Sequence, residues 1–467
     1  MMKRSTAALL IFLVSPLGSV YGQSKSSLDS LDELALSRAL LNDQQDRFGS
    51  SDSRLIEPLE QLADALMQLN QFDEAHTMLD RAMQIVRIED GLYTEIQRPL
   101  LEKKIENFAN RGDWNSAREN MQHLLWLYTY KSSQIDQVLI ADLLELSRWH
   151  LRAVAEDNNA WQGFHFRQSS RIRWLALGVA ETLWGKTDER LVSIIYEQLR
   201  QLHLQTVALR RGGSTSYSLR QVAPGSGILR DRSDVNESFY QTGIGLINNI
   251  FLIYSDSESP NPEAIAMANV YLADWRILFN DPQAATETYR QAYQELLASG
   301  VDATLANEFF SQPMVIPDTE FYASVEAGVA AQRNRMVTVG ERNSDAYLSF
   351  NEWTAALPNV RSPIPSNATD SEVANSNFAL FSFSLAGVNK VSRWYSHRFT
   401  STVSMIQQTE LIAHYMQSPS EESRLFEKLN SLTFRPKLVD GRPQQATGRI
   451  KYHFAIDGPS TSLRERP

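Results

Sequence analysis

The sequence predicts a mostly α-helical protein, with an array of helical hairpins followed by a small α+β domain. Three observations support this prediction. Between Glu57 and Arg87, apolar and small residues recur at spacings of 3, 4 and 7, which bring side chains to one helical face. A similar pattern returns 42 residues later. Near the end of the chain, apolar residues alternate with others in 378–385 and 448–454, which is the period of a β-strand.

The stretch from Glu57 to Arg87 resembles a tetratricopeptide repeat (TPR), a helix–turn–helix unit of about 34 residues. Small residues in both helices allow the helices to approach closely, and large ones fill the space around them. Asn70 to Asp73 supplies the turn, because Asn can adopt the left-handed conformation that ends a helix. The residues that match the repeat pattern are Leu59, Leu62, Ala63, Leu66, Ala75, Leu79 and Ala82.

Two further stretches resemble the same unit. The second copy has Ile105 where a small residue is usual, and the third has Arg276 where an aromatic residue is usual. A plain bundle of helical hairpins is the alternative to true repeats. The second copy matches at Leu101, Phe108, Gly112, Trp114, Ala117 and Met121, and the third at Leu272, Ala273, Ala285, Tyr289 and Ala292.

The first 22 residues are typical of a secretory signal peptide. Lys3 and Arg4 precede an apolar run from Ala7 to Val14, and Val20-Tyr21-Gly22 offers a cleavage site. The run is too short to span a bilayer, although an uncleaved anchor is the alternative. We therefore expect export to the periplasm of a Gram-negative bacterium, with association with the outer membrane left open, and no membrane span after cleavage.

The composition argues against several functional classes. The net charge is −10, and it becomes −12 without Lys3 and Arg4, so the chain is a poor candidate for binding nucleic acid or an anionic membrane. It contains no cysteine, which excludes disulfides, a thiol nucleophile and thiolate metal ligands. A large exported domain without disulfides is compatible with the periplasm.

We divide the chain by changes in composition. A helix around Leu31 to Leu41 would cap the repeat array. Residues 212–237, rich in Gly, Ser, Arg and Asp, have no period and predict an exposed loop. The predicted order is a signal peptide at 1–22, a TPR-like helical domain at 23–304, a Pro-rich connecting region at 305–375, an α+β domain at 376–456 and a disordered tail at 457–467.

Within the α+β domain we predict a strand at Phe378–Leu385, with Val391–Tyr395 as its hairpin partner. Ser418-Pro419-Ser420-Glu421 predicts the start of a helix, with Ser as the cap and Pro at the first position. A final strand follows at Gly448–Phe454. Residues 396–417 receive no assignment. The buried face of the short helix consists of Leu425, Phe426 and Leu429.

This order of strand, strand, helix and strand resembles the C-terminal domain of the TonB family over about the last 80 residues. The resemblance implies a domain that binds a partner peptide by adding a strand to a sheet edge, where backbone groups are unpaired. The matching residues are Phe434, Arg435, Pro436, Gly441 and Pro443.

No catalytic, cofactor-binding or metal-binding pattern emerges from the sequence. It contains no HExxH, no phosphate-binding glycine loop and no GxSxG elbow. His150 lies on an apolar seam with Leu139, Leu143 and Leu146, which favours a hydrogen-bonded core histidine over a ligand.

Two clusters allow two interpretations each. For the tryptophans Trp149, Trp161, Trp174 and Trp184 we favour core packing over a stacking surface for a peptide or glycan. For the arginines Arg210, Arg211, Arg220, Arg230 and Arg232 we favour a solvated face over a docking site for an acidic partner.

We interpret the chain as a non-enzymatic periplasmic protein that binds other proteins or peptides of the cell envelope, without a cofactor. A groove of the repeat array and a strand edge of the α+β domain would provide the contacts. The alternatives are an accessory of TonB-type outer-membrane transport and a cell-wall hydrolase that acts through paired carboxylates.

Overall fold

A computed structural model of the chain describes residues 18–130, 135–211, 232–257, 259–337, 347–350, 377–385, 406–414, 432–454 and 464–465, together with 423, 426, 429 and 430. The chain divides into two compact units, Met1–Ser133 and Gln134–Pro467. The described part is mostly helical, with small sheets in the C-terminal region, which confirms the predicted fold class. None of the described helices combines the length and the apolar character that crossing a membrane requires.

The first unit is a run of helices packed in sequence order. Short 3₁₀ turns at Ser53–Leu55 and Glu95–Gln97 lead into the second and fourth helices. The helices are α1 (Gly18–Phe48), α2 (Ile56–Gln68), α3 (Phe72–Glu89), α4 (Arg98–Arg111) and α5 (Trp114–Tyr130). Helix α1 is longer than the predicted 31–41 and packs against α2. The predicted cleavage site lies in its first turns, and residues 1–17 lie outside the described part.

The described part of the second unit begins with eight helices. Side-chain caps account for the start of three of them, because Asn261, Asp281 and Asp302 each accept a hydrogen bond from a backbone N–H in the first turn. Two of these helices also have a proline, Pro262 or Pro282, at an early position that needs no N–H donor. The helices are α6 (Gln137–Glu156), α7 (Gln162–Trp184), α8 (Leu191–Arg211), α9 (Arg232–Ser255), α10 (Pro262–Leu278), α11 (Pro282–Ala298), α12 (Ala303–Phe309) and α13 (Val325–Arg335).

Three helical hairpins, α2/α3, α4/α5 and α10/α11, close with the same turn. The residue that ends the first helix has a positive φ, which is 57° at Asn70, 83° at Gly112 and 67° at Asn280. The next N–H then bonds to the carbonyl five residues back, the pattern of a Schellman cap. The three bonds join Gln71 to Leu66, Asp113 to Phe108 and Asp281 to Arg276, each at 2.9 Å. The three stretches that resemble the repeat therefore share a local geometry as well as a sequence pattern.

The strands of the second unit form one six-stranded sheet and two small pairs. The larger sheet has the order β10-β5-β4-β9-β3-β2; β1 pairs with β6, and β7 with β8. All neighbours are antiparallel except β3 and β9. The strands are β1 (Met314–Ile316), β2 (Met336–Val337), β3 (Tyr347–Phe350), β4 (Asn377–Leu385), β5 (Ile406–His414), β6 (Thr433–Arg435), β7 (Lys437–Val439), β8 (Arg442–Gln444), β9 (Ala446–Phe454) and β10 (Arg464–Glu465).

One continuous apolar core joins the helices and the sheet of the second unit. Trp275 and Phe309 of the helices belong to it, as do Phe381 and Phe383 of β4 and Phe434 of β6. Phe381 contacts Phe426 with ring centroids 5.2 Å apart, and Phe383 contacts Phe434 at 5.0 Å. The alternating residues that predicted β4 therefore point into this core.

Several predicted elements compare directly with the strands. The predicted strands 378–385 and 448–454 lie within β4 and β9. The unassigned stretch 396–417 contains β5, and the predicted tail contains β10. Residues 391–395 and 418–421 lie outside the described part, whereas Phe426 and Leu429 are helical.

The Pro-rich segment 305–375 contributes elements to the second unit. It contains most of α12 and all of β1, α13, β2 and β3. Strand β1 pairs with β6, and β3 pairs with β9, from the end of the chain. The two compact units meet at Ser133. The predicted order of domains along the chain stays a prediction.

Candidate interaction surfaces

The repeat-motif residues form the interiors of the three hairpins. Most of them, including Phe108 and Trp114, are at most 6% exposed, whereas Leu272 is half-buried and Gly112, in a turn, is exposed. Ile105, which stands at the small position of the second copy, is fully buried as well. The buried motif residues are Leu59, Leu62, Ala63, Leu66, Ala75, Leu79, Ala82, Phe108, Trp114, Ala117, Ala285, Tyr289 and Ala292. These side chains position the helices, so a binding surface must use other residues.

Polar contacts fix the second hairpin against the first. Lys103 of α4 donates to Asp64 of α2 at 2.6 Å and lies 3.3 Å from Glu60. Burial lowers the pKa of Lys103, but the hydrogen bond and the charge of Asp64, with the charge of Glu60, outweigh burial, so the net shift is upward. Asn107 donates its amide N–H to the carbonyl of Phe72 at 3.0 Å. The first helices of the two hairpins are therefore held side by side.

These contacts define one candidate surface, which we name the α2–α4 face. It consists of positions that recur 42 residues apart on the two first helices: Gln61, Asp64 and Gln68 on α2, and Lys103, Glu106 and Asn110 on α4. Gln61, Gln68, Glu106 and Asn110 are exposed, and Asp64 and Lys103 are half-buried. The face is polar and, with Glu60 at its border, carries more acidic than basic groups.

A second surface of the first unit is aromatic, and the sequence analysis did not identify it. The ring centroids of Tyr93 and Trp126 are 5.1 Å apart, and those of Trp126 and Tyr130 are 6.1 Å apart and stacked. Tyr93 is 57% and Tyr130 75% exposed, which is unusual for rings of this size. His123 touches the group, and its pKa is lowered by burial and then by the charges of Arg87 and Lys104. We name Tyr93, Trp126 and Tyr130 the aromatic patch.

The favoured interpretation of the four tryptophans, core packing, is wrong for Trp161 and Trp174, whereas Trp184 packs partly buried against the core. Trp161 is 43% and Trp174 42% exposed, and Trp149 and Trp184 are half-buried. Arg152 lies over Trp149, and Arg190 over Trp184, with 5.2 and 4.4 Å from guanidinium carbon to ring centroid. The helical phase explains the error: the buried stripe of α7 is set by smaller residues, namely Ile172, Ala176, Leu177 and Ala180.

The predicted arginine cluster cannot be placed from the described residues. Residues 212–231 lie outside the described part, and so do the side chains of Arg210, Arg211 and Arg232. Its assignment as a solvated face stays a prediction.

His150 is a buried, hydrogen-bonded histidine, as its place on the apolar seam predicts. Its Nδ1 lies 2.9 Å from Nδ1 of His165, whose Nε2 lies 2.9 Å from a carboxylate oxygen of Asp157. If His165 donates Nε2–H to Asp157, its Nδ1 is left to accept from Nδ1–H of His150, so one set of neutral tautomers satisfies the chain. Burial, and then the neighbouring His165, lowers the pKa of His150 to about 3.

This hydrogen-bonded group of side chains lies between α6 and α7 and contributes to the packing of the two helices. His150 is 2% exposed and His165 is fully buried, so neither ring has a surface for a substrate. One helical turn away, the hydroxyls of Ser147 and Ser169 lie 2.8 Å apart and are buried too. Within the described residues no group of three or more metal-ligating side chains is arranged to hold an ion.

The TonB-like motif residue Arg435 is the centre of a buried ion pair. Its guanidinium donates to both carboxylate oxygens of Asp274 on α10, at 3.0 and 2.5 Å, and both residues are at most 3% exposed. Tyr289 donates its hydroxyl to the same carboxylate at 2.5 Å. Burial alone would lower the pKa of Arg435, but the charge of Asp274 holds it well above the usual value. The bidentate pair fixes β6 to α10.

The other TonB-like residues form the packed turn beside this pair. Phe434, Pro436 and Gly441 are buried, and Pro443 is half-buried. Asp440 and Gly441 have φ values of 50° and 73°, which suits the two-residue turn that joins β7 and β8. A Cβ on Gly441 would come within 3.2 Å of the Cα of Arg290, because the turn lies directly on α11. These residues are therefore structural.

Within the described residues, strand β5 of the six-stranded sheet is paired along one side and at one end of the other. Strand β5 pairs with β4 from Ile406 to His414, whereas β10 covers only Ala413 and His414 on the other side. Among the described strands, none pairs with residues 407–412 on that side, which we name the β5 edge. Backbone groups along such an edge can pair with an added strand.

Comparisons with known proteins give no family for this chain. No family model and no curated protein matches it. Among solved structures, the crystal structure of BtubC (BKLC) from P. vanneervenii is 12% identical and has a TM-score of 0.32. The match covers 58% of this chain and 90% of that chain. We base no assignment of fold or function on this likeness.

Proposed function

We propose that the protein is a non-enzymatic scaffold of the bacterial cell envelope that binds other proteins through the α2–α4 face and the β5 edge. The observation that supports this most is the register of the first two hairpins. They close with the same turn, repeat at 42 residues and bring Lys103 of α4 within 2.6 Å of Asp64 of α2. Helical repeats of this kind bind through the row of exposed positions on adjacent helices.

The chemistry of the α2–α4 face favours a particular class of partner. The face has three acidic side chains, Glu60, Asp64 and Glu106, and one basic side chain, Lys103. A partner segment that carries Lys or Arg is therefore favoured over an acidic one. The amides of Gln61, Gln68 and Asn110 add hydrogen-bonding groups without further charge. The proposed partner is an extended basic segment of another envelope protein.

Matched variants test this surface. The double variant Gln68→Arg, Glu106→Lys places positive charge on the face, whereas Gln84→Arg, Glu119→Lys makes the same exchanges at exposed positions of α3 and α5. Affinity capture from a periplasmic extract should lose its partner with the first pair only. Equal capture by both variants, or by neither, would contradict the proposed face.

The proposed location in the periplasm depends on the pattern of residues 1–22. Processing after Gly22 gives a mature chain that begins at Gln23. N-terminal sequencing of the protein from a periplasmic fraction tests this, and an unprocessed chain retained with the cytoplasm would overturn it.

A further inference from the structure

Helix α7 has an exposed row of side chains that the proposed function does not use. Because residues 3, 4 and 7 apart return to one helical face, these side chains lie on a single stripe. At about 1.5 Å per residue the stripe extends over about 22 Å. We name it the α7 stripe, and it consists of the exposed residues Arg167, Arg171, Trp174, Leu175, Gly178 and Thr182.

The first half of the α7 stripe is basic in an otherwise acidic chain. Arg167 and Arg171 are one helical turn apart, and α7 has no acidic residue before Glu181. The third arginine of α7, Arg173, is buried and already pairs with Glu197 of α8. The whole chain has a net charge of −10, so this row of positive charge is local. It favours an acidic partner.

The second half of the stripe is apolar and flat. Trp174 is 42% and Leu175 37% exposed, and Gly178 follows one turn later. A Cβ at Gly178 would meet nothing within 4 Å, so no contact inside the chain requires a glycine there. Alanine at this position would make a more stable helix. The glycine leaves room for another backbone to approach α7 beside two large apolar side chains.

We propose that the α7 stripe binds an amphipathic, acidic helix of another protein. The apolar face of that helix lies on Trp174 and Leu175, and a small residue faces Gly178. Asp or Glu one or two turns along the same helix meets Arg167 and Arg171. This surface goes beyond the proposed function, which uses the α2–α4 face and the β5 edge.

An anionic membrane also combines negative charge with apolar groups, but the charge of the chain disfavours it. A membrane surface faces far more of the protein than the stripe, and the protein as a whole is acidic. A single helix meets only the stripe, because charges more than about 8 Å away are largely screened at physiological ionic strength. Vesicles of anionic phospholipid therefore serve as the competing probe.

The main probe is a labelled peptide of about 18 residues, made of Glu, Leu and Ala, with Leu and Ala at spacings of 3 and 4 on one helical face. A peptide of the same composition with scrambled Leu positions keeps the charge but has no apolar face. Fluorescence anisotropy with the full-length protein compares the two. We expect the amphipathic peptide to bind at least about tenfold more tightly, with an affinity that falls as salt is added.

Matched glycine variants separate binding from folding. Gly178→Gln places a side chain on the stripe, whereas Gly245→Gln places one at an exposed and equally open position of α9. Glutamine is a better helix former than glycine, so neither variant should lower the unfolding temperature. We expect Gly178→Gln to weaken peptide binding about tenfold and Gly245→Gln to change it by less than about twofold.

Matched arginine variants test the charge. Arg167→Gln, Arg171→Gln removes the two charges of the stripe, whereas Arg47→Gln, Arg87→Gln removes two exposed charges from α1 and α3. Two exposed ion pairs together contribute about threefold to tenfold in affinity. Only the first double variant should lose this much and show a weaker dependence on salt.

Three results would overturn the inference: equal binding of the two peptides, no binding of the amphipathic peptide, or equal effects of the matched variants. Binding to the vesicles that is lost in Arg167→Gln, Arg171→Gln, without binding of the peptide, would assign the stripe to a membrane surface and overturn it as well. The variants of the α2–α4 face should bind the peptide like the wild type. Failure of the proposed function would therefore leave this result standing.

Discussion

At the scale of single residues, His150 makes the second unit sensitive to acid. Its pKa is about 3 in the folded protein, against an ordinary value of about 6.5 in the unfolded chain. Below pH 6.5 the unfolded state therefore binds a proton that the folded state does not, so acid favours unfolding. The contribution of this histidine is fully present above pH 6.5 and is lost as the pH falls towards 3.

The pH dependence of unfolding tests this. Between pH 6.5 and 5 we expect the free energy of unfolding to fall by about 2 kcal/mol through His150, at roughly 1.4 kcal/mol per pH unit. Urea unfolding at each pH should show a smaller slope for His150→Gln, which has no titratable group at this position. Because the comparison is of slopes, a uniform loss of stability in the variant does not affect it. Equal slopes would contradict the assigned pKa shift.

The buried pair of Arg435 and Asp274 is the second residue-scale feature with a measurable consequence. Removal of one partner leaves a buried charge unpaired, which costs about 3–5 kcal/mol. We expect Arg435→Met and Asp274→Leu each to cost this much in urea unfolding, and the double variant to cost much less than their sum. Additive effects would show that the two side chains are not coupled. Tyr289→Phe, which removes one hydrogen bond to Asp274, should cost about 1.5–3 kcal/mol.

Gly441 allows the turn of β7 and β8 to lie against α11. Its φ is 73°, and an added Cβ would meet the side chain of Tyr293 at 3.0 Å and the backbone of Arg290 at 3.2 Å. Gly300 also has a positive φ, 98°, but a Cβ there would meet nothing within 4 Å. Both Gly→Ala variants carry the conformational cost of about 1 kcal/mol. We expect Gly441→Ala to cost about 1 kcal/mol more in thermal unfolding, and equal losses would show that contact with α11 is unimportant.

At the scale of elements, the helices and strands that could be predicted from the sequence are those with a local periodicity of apolar residues. The hairpins α2/α3 and α4/α5 follow from side chains a few residues apart, and the turn at Asn70 follows from the conformational preference of asparagine. Strand β4 follows from alternation over residues 378–385. Strand β5 was missed because its pairing with β4 shifts twice, between Leu380 and Phe381 and between Ser384 and Leu385. Such irregularities interrupt the period on which the prediction depends.

The aromatic patch and the exposed tryptophans show a different limit. Tyr93 precedes α4, and Trp126 and Tyr130 lie on α5, so only packing of the hairpin brings the rings together. The position of Trp174 depends on the phase of α7, which is set by the whole buried stripe and not by Trp174 itself. Composition gave no indication of either. The α2–α4 face, in contrast, follows from the 42-residue repeat once the register of α2 and α4 is known.

At the scale of the whole molecule, the C-terminal region belongs to the helical core of the second unit. Arg435 connects β6 to α10, and β1 from the Pro-rich segment pairs with β6. Sequence patterns located the hairpin helices and the strands β4 and β9. They gave no sign of these long-range contacts, because the contacts join residues more than 100 positions apart. The second unit should therefore unfold as one cooperative body, with the sheet and α10 lost together.

The central claim is that adjacent first helices form a surface that holds a segment of another protein. Site-specific photo-crosslinking tests it most directly, with a benzoylphenylalanine placed at Gln68 on the α2–α4 face or at Gln84 on α3 in the full-length protein. After irradiation of cells, we expect a discrete crosslinked partner from position 68 and none from position 84. Crosslinks of equal yield from both positions, or none from position 68, would contradict the account.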